Sequence, residues 1–120
     1  MNTSNKHFNI LIAEDDEDDY LLIAEALNKN EHIGVIHWSK DGEELLNFLD
    51  DCERSDEGQK RKPDLIILDL NMPKKDGRET LSEIKSHPKR KNIPVVILTT
   101  SQAESDISQA YQLGANSFIQ

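Results

Sequence analysis

The feature that most constrains the fold is the alternation of short apolar runs with helical patterns. Two of the runs, LIIL at 65–68 and VVIL at 95–98, are continuous rather than alternating. Continuous runs of this kind, rich in β-branched residues, are typical of strands covered on both faces, as in a parallel sheet. The predicted strands are Phe8–Ala13, Val35–Trp38, Leu65–Leu68, Val95–Leu98 and Ser117–Ile119.

Amphipathic patterns with helical spacing lie between these strands. The predicted helices are Glu17–Lys29, Glu43–Leu49, Gly77–Ser86 and Ser101–Leu113. Asp41 or Ser39 can cap the second helix, and Ser101 with Glu104 forms a capping box for the fourth. The order βαβαβαβαβ predicts a doubly wound α/β domain with right-handed crossovers.

The chain of 120 residues is the size of one domain and can bury a core without disulfide bonds. Residues 51–62, DCERSDEGQKRK, are polar and break the pattern, so we expect a flexible loop there. We interpret Cys52, the single cysteine, as a bystander in a reducing compartment. Neither a membrane span nor a signal peptide is recognisable, so the expected location is cytoplasmic, with no membrane contact.

Acidic residues outnumber basic residues 23 to 14, for a formal net charge of −9. A surface of that charge repels phosphate backbones, and direct nucleic-acid binding is therefore not expected. The charge suits a divalent cation or a basic partner, although solubility alone also explains it.

The stretch ILIAEDDEDD at 10–19 places carboxylates directly after the first strand. Ligands of open parallel sheets bind beyond the carboxyl ends of the strands, where Glu14, Asp15, Asp69 and Thr99 follow strands one, three and four. Three carboxylates in one crevice repel each other unless a cation neutralises them, and Mg²⁺ prefers such oxygen ligands. The loop after the first strand contains no glycine, which excludes the glycine-rich phosphate loops of nucleotide and flavin sites.

Four motifs in order, AEDD at 13–16, DLNMPKKDG at 69–77, LTTS at 98–101 and GANSFI at 114–119, resemble the receiver domain of two-component response regulators. The resemblance covers nearly the whole chain, and it is the combination of motifs that makes it specific. Within that family the sequence is similar to stand-alone receivers paired with phytochrome-like or other sensor histidine kinases.

The resemblance implies a flavodoxin-like sheet with strand order 2-1-3-4-5 and a signalling function rather than an enzyme with its own substrates. It makes Asp69 the acceptor of a phosphoryl group from a sensor histidine kinase or a phosphotransfer protein. It also implies an Mg²⁺ ion held directly by Asp15 and through water by Glu14, with Asp69 and the backbone carbonyl of Asn71 as further ligands.

The resemblance further implies a switch in which Thr99 contacts the phosphoryl group and Phe118 turns inward. The family places a lysine soon after the fifth strand, whereas this sequence stops at Gln120. We therefore interpret residues 1–120 as a receiver domain that lacks its C-terminal lysine and fifth helix. Homo-oligomers through the incomplete C-terminal face are expected from that interpretation.

Two alternatives stand beside this reading. A phosphatase or mutase with an aspartyl nucleophile usually carries a second aspartate two residues later, where this chain has Asn71. A pseudo-receiver, which binds partners without using phosphate, is the second alternative. The acids and Thr99 argue against it, while the missing lysine leaves it open.

Overall fold

The structure is a computed structural model that describes residues 7–54, 62–70, 72, 76–98 and, for the backbone alone, 117–119. Strands and helices alternate along the described chain. They are β1 (Phe8–Ala13), α1 (Glu17–Asn28), β2 (Ile33–Ser39), α2 (Gly42–Arg54), β3 (Leu65–Asp69), α3 (Gly77–Ser86), β4 (Val95–Leu98) and β5 (Ser117–Ile119). The helix predicted over Ser101–Leu113 lies outside the described residues.

The five strands form one sheet in the order β2-β1-β3-β4-β5, and every neighbouring pair is parallel. This confirms the predicted doubly wound fold and its strand order. In the register, Ala13 lies beside Leu68, and Asp69 lies beside Leu98. The carboxyl ends of β1, β3 and β4 therefore meet at one edge of the sheet.

Both faces of the sheet are covered, as the continuous apolar runs predict. Leu11 and Ala13 belong to a buried cluster that also contains residues of α2 and α3, whereas Ile10 and Ile12 lie in a second cluster with residues of α1. Fully burying one such aliphatic side chain contributes about 1.5–3 kcal/mol. Because side chains alternate along β1, helices pack on both faces of the strand. The end of β1 is therefore fixed between these helices.

Aspartates begin the first two helices. The side chain of Asp16 accepts a hydrogen bond from the N–H of Asp18 (2.8 Å), so one acid of the ILIAEDDEDD stretch caps α1. Asp41 accepts from the N–H of Glu44 (2.9 Å) at the start of α2. Of the two caps predicted for this helix, the structure uses Asp41 and not Ser39. Each such cap is worth about 1 kcal/mol.

Helix α2 extends to Arg54, which corrects the prediction of a polar loop over 51–62 for its first four residues. The reason is that Leu45, Leu49 and Cys52 follow each other at helical spacing and are all buried. Cys52 is 1% exposed and continues the apolar stripe, so it belongs to the core and not to the polar loop predicted over 51–62. Positions 55–61 of the predicted loop lie outside the described residues.

The C-terminal end of α2 is joined to the segment between α3 and β4 by a buried arginine. The Nε of Arg90 donates to Glu53 (2.8 Å), and one of its terminal nitrogens donates to Glu53 (2.8 Å) and to Asp50. Arg90 is 5% exposed. These three residues are called the arginine cluster below.

Among the described helices, none is long and apolar enough to cross a membrane.

Candidate functional site

The first component of the site is the turn that follows β1. Glu14 is the first residue after the strand and is 5% exposed. Its backbone N–H donates to the carbonyl of Ser39 (3.0 Å), and its carboxylate accepts from the N–H of Asp16 (3.1 Å). The next residue, Asp15, is exposed. One carboxylate therefore points into the protein at the edge of the sheet, and its neighbour reaches solvent.

The second component is the end of β3, where Asp69 is 9% exposed. The chain behind it is closely packed, since the N–H of Gly77 donates to the carbonyl of Leu70 (3.1 Å). A Cβ atom at Gly77 would lie only 2.2 Å from the backbone oxygen of Asp69 and 2.6 Å from Leu70 Cα. Glycine is therefore required at this position for α3 to begin directly against the backbone of Asp69.

These two components bring Glu14, Asp15 and Asp69 together. One carboxylate oxygen from each residue lies within 4.8 Å of the others. The three residues are called the acid cluster below. Two of them come from the turn after β1 and one from the end of β3, so the pairing of two neighbouring parallel strands assembles the cluster.

The electrostatics of the acid cluster are visible in Glu14. Burial raises the pKa of its carboxyl group to about 8, against an ordinary value of 4.5. The hydrogen bond from the N–H of Asp16 opposes this rise in pKa. The negative charge of Asp69 and hydrogen bonds with Asp15 and Asp69 add to it. Without a cation, the carboxyl group of Glu14 thus keeps its proton at neutral pH, whereas an exposed glutamate has released it.

The cluster is chemically suited to a hard divalent cation. Mg²⁺ and Mn²⁺ take carboxylate oxygens as ligands and keep part of their water shell. Three carboxylates converging within 4.8 Å supply this donor type, and the exposure of Asp15 leaves a side open to water. A cation there would also remove the like-charge repulsion that raises the pKa of Glu14.

The predicted site residues divide into those that the structure brings together and those that it does not describe. Glu14, Asp15 and Asp69 converge as expected. Asn71 and Thr99 lie outside the described residues, and only the backbone of Phe118, in β5, is described. Their predicted roles therefore remain predictions.

Sequence reasoning missed two residues that border the site. Gly77 is predicted as the start of a helix and ends the motif DLNMPKKDG, yet neither observation shows that the backbone of Asp69 requires its lack of a side chain. Trp38 is predicted only as the last residue of the second strand, with no role at the site. Its indole Nε1 donates to the backbone carbonyl of Glu14 (2.7 Å). The signal available for Trp38 was its position, since the end of β2 lies beside the end of β1.

Comparison with known proteins agrees with this geometry. The family described as the response regulator receiver domain matches residues 10–120. The chain therefore belongs to the receiver domain family of two-component response regulators, which are signalling proteins rather than enzymes in the ordinary sense. This confirms the family that the four motifs indicated.

Particular relatives narrow the resemblance to phytochrome-associated regulators. The response regulator Rcp1 of Synechocystis is 41% identical over 110 residues, which span 92% of this chain and 74% of that protein. The crystal structure of the phosphorylated cyanobacterial phytochrome response regulator RcpA superposes with a TM-score of 0.84 at 44% identity, covering 94% of this chain and 79% of that one. The Mn²⁺-bound form of Rcp1 gives a TM-score of 0.81 at 41% identity, covering 93% and 79%.

Proposed function

We propose that this chain accepts a phosphoryl group on Asp69 from the phosphohistidine of a sensor histidine kinase or a phosphotransfer protein, in a reaction that requires Mg²⁺. The observation that carries the proposal is the convergence of Glu14, Asp15 and Asp69 at the carboxyl end of the sheet. Membership of the receiver family supports it, as does the phosphorylated state named for the relative RcpA.

Asp69 suits the role of nucleophile because a carboxylate needs no general base near neutral pH. One of its oxygens attacks the phosphorus atom, the bond between phosphorus and the histidine nitrogen breaks, and that nitrogen keeps the electron pair. The product is an acyl phosphate on Asp69. The close contact between Gly77 and the backbone of Asp69 supports the role, because it holds the nucleophile rigidly at the end of β3.

Glu14 and Asp15, with Asp69, are the residues that would hold the metal, and the backbone carbonyl of Asn71 is a further proposed ligand. When bound, Mg²⁺ would neutralise charge on the carboxylates and on the transferring phosphoryl group. The Mn²⁺-bound form of the relative Rcp1 supports a divalent cation here. Within the proposal, Thr99 and Phe118 carry the switch, with Thr99 bonding to the phosphoryl group and Phe118 turning inward.

The test is phosphorylation by acetyl phosphate, followed by intact-mass measurement with and without Mg²⁺. The parent protein is expected to gain one phosphoryl group only when Mg²⁺ is present, and Asp69→Asn is expected to gain none. Asp76→Asn is the matched control. Asp76 caps α3 through the N–H of Glu79 (3.0 Å), and asparagine caps equally well. The control should therefore be phosphorylated like the parent.

Two results would contradict the proposal. A phosphoryl group that persists in Asp69→Asn would place the modification on another residue. No phosphorylation of the parent protein, with folding verified, would favour a pseudo-receiver that binds partners without using phosphate.

A further inference from the structure

The peptide group that joins Glu14 to Asp15 is held by β2, a strand that contributes no carboxylate to the acid cluster. Its carbonyl, that of Glu14, accepts a hydrogen bond from the indole Nε1 of Trp38 (2.7 Å). The preceding peptide group is also held by β2, because the N–H of Glu14 donates to the Ser39 carbonyl (3.0 Å). Because a peptide group is planar, a fixed C=O also fixes the direction in which the chain enters the next residue. The Trp38 hydrogen bond thus orients the backbone of both Glu14 and Asp15.

Trp38 is itself held in place by two neighbours, one on α1 and one in the turn after β2. Its ring stacks on Tyr20 of α1, with centroids 4.5 Å apart and planes 5° from parallel. The backbone N–H of Tyr20 donates to the carbonyl of Asp16 (3.0 Å), in the same turn that carries the acids. The Nζ of Lys40 lies 5.4 Å from the centre of the Trp38 ring. The indole N–H is therefore a donor with a fixed direction.

If Trp38 served only to pack against its neighbours, its indole N–H would have no reason to bond to the Glu14 carbonyl in particular. Trp38 is only partly buried, so its N–H has access to water as an alternative partner. Instead it donates at 2.7 Å to the one carbonyl that lies between two carboxylate-bearing residues of the acid cluster. Removing the donor would take away this restraint on the orientation of the peptide group between Glu14 and Asp15.

We propose that Trp38 is a positioning residue, which orients Glu14 and Asp15 for the metal through its hydrogen bond to the Glu14 carbonyl. The inference rests on the proposed function, since it assumes that the acid cluster binds a divalent cation. Trp38 does not touch the metal or the phosphoryl group. It acts through the backbone between two metal ligands.

The test compares two variants that damage the ring pair differently. Trp38→Phe keeps a ring against Tyr20 but loses the N–H donor, whereas Tyr20→Leu loses the stacked ring and keeps the donor. The dissociation constant for Mn²⁺ is measured from the electron paramagnetic resonance signal of the free ion, with urea unfolding of each variant in parallel. We expect Trp38→Phe to weaken Mn²⁺ binding about 3- to 10-fold, as for loss of one neutral hydrogen bond. Tyr20→Leu should weaken it less than about 2-fold, even where it costs more stability.

Three outcomes would overturn the inference. If the parent protein binds Mn²⁺ and Trp38→Phe has the same dissociation constant, the Trp38 hydrogen bond does not position the ligands. The proposed function is then unaffected. If Tyr20→Leu weakens binding as much as Trp38→Phe, the ring pair acts only through packing. If the parent protein does not bind Mn²⁺, the metal site of the proposed function fails, and this inference fails with it.

A second measurement uses the parent protein alone and decides the matter if Trp38→Phe does not fold. The chain has one tryptophan, so its ¹H–¹⁵N spectrum contains one indole resonance. We expect this N–H to exchange slowly with water and its resonance to shift when Mg²⁺ is added. Rapid exchange together with no shift at saturating Mg²⁺ would overturn the inference.

Discussion

The acid cluster and the arginine cluster place the same residue type in opposite electrostatic settings. Glu14 is buried and lies beside other carboxylates, and these two effects together raise its pKa to about 8. The pKa of Glu53 is lowered, chiefly by its hydrogen bond from Arg90, which outweighs the effect of burial. Both carboxyl groups lie near the end of a secondary-structure element, so their chemistry is set by neighbours and not by position in the chain.

The difference separates a structural cluster from one suited to a ligand. In the arginine cluster, one buried guanidinium is paired with two carboxylates of α2, so its positive charge is compensated within the chain. In the acid cluster, three carboxylates approach one another at a cost in stability that a bound cation would offset.

Breaking the arginine cluster should have the largest effect on stability. Arg90→Ala leaves Glu53, whose side chain is 16% exposed, without its buried counter-charge, and should lower the free energy of unfolding by about 3 kcal/mol. Urea denaturation measures this. Arg54→Ala is the control, because Arg54 and Asp51 form an exposed pair (75% and 59%) whose loss should cost less than about 0.5 kcal/mol. Equal effects of the two variants would refute the structural role of the cluster.

Mg²⁺ should stabilise the folded protein through the acid cluster. At a concentration 100 times its dissociation constant, one ligand that binds only the folded state adds about 2.7 kcal/mol. Thermal unfolding with increasing Mg²⁺ measures the gain. Asp15→Asn and Asp69→Asn should each reduce it strongly, whereas Arg54→Ala should keep it. A gain of the same size in Asp69→Asn would mean that the ion binds elsewhere.

The raised pKa of Glu14 should make the metal-free protein less stable as the pH rises from about 5 to 8. In the unfolded chain the Glu14 carboxyl group has a pKa of 4.5 and is already ionised in this range. In the folded protein its pKa is about 8, so it keeps its proton. The unfolded state therefore binds fewer protons, and the free energy of unfolding falls as the pH rises through this range. Urea titrations in chelator should show this fall in the parent and a smaller one in Glu14→Gln.

Glu53 should make the free energy of unfolding depend on pH in the opposite direction to Glu14. Its lowered folded pKa means that its contribution is present above the unfolded value of 4.5 and is lost as pH falls through the folded value. Glu53→Gln should therefore flatten the acid side of the stability curve and leave the range from pH 5 to 8 unchanged. If Glu14→Gln and Glu53→Gln altered the same pH range, the contrast between the clusters would be wrong.

The smallest effect concerns Asp16, an acid of the same stretch that lies outside the acid cluster. Asp16→Ala removes the cap of α1 and should cost about 1 kcal/mol. The Mn²⁺ affinity should stay within about 2-fold of the parent value, because the bond to the Glu14 carboxylate comes from the backbone N–H at position 16. A large loss of affinity would extend the acid cluster to Asp16.

The sequence predicts the sheet and the acid cluster well because both depend on local patterns. Continuous runs such as LIIL define buried parallel strands, and in that topology the residue after each run is placed at one edge. The end of α2 was harder, since Cys52 continues a buried stripe through otherwise polar residues. The arginine cluster joins Arg90 to residues of α2 about 40 positions away, a pairing that no local pattern indicates.

The parallel topology also has a consequence for the order of folding. The bond from the N–H of Asn9 to the side chain of Asp64 spans 55 positions, which reflects how far apart along the chain β1 and β3 lie. No tight hairpin can bring these strands together, so their pairing must close a long loop and is slow. Asp69 approaches Glu14 and Asp15 only when that loop closes. The repulsion between Asp69 and the other two acids therefore acts late, and a newly synthesised chain can form β1, α1 and β2 before it meets this electrostatic barrier.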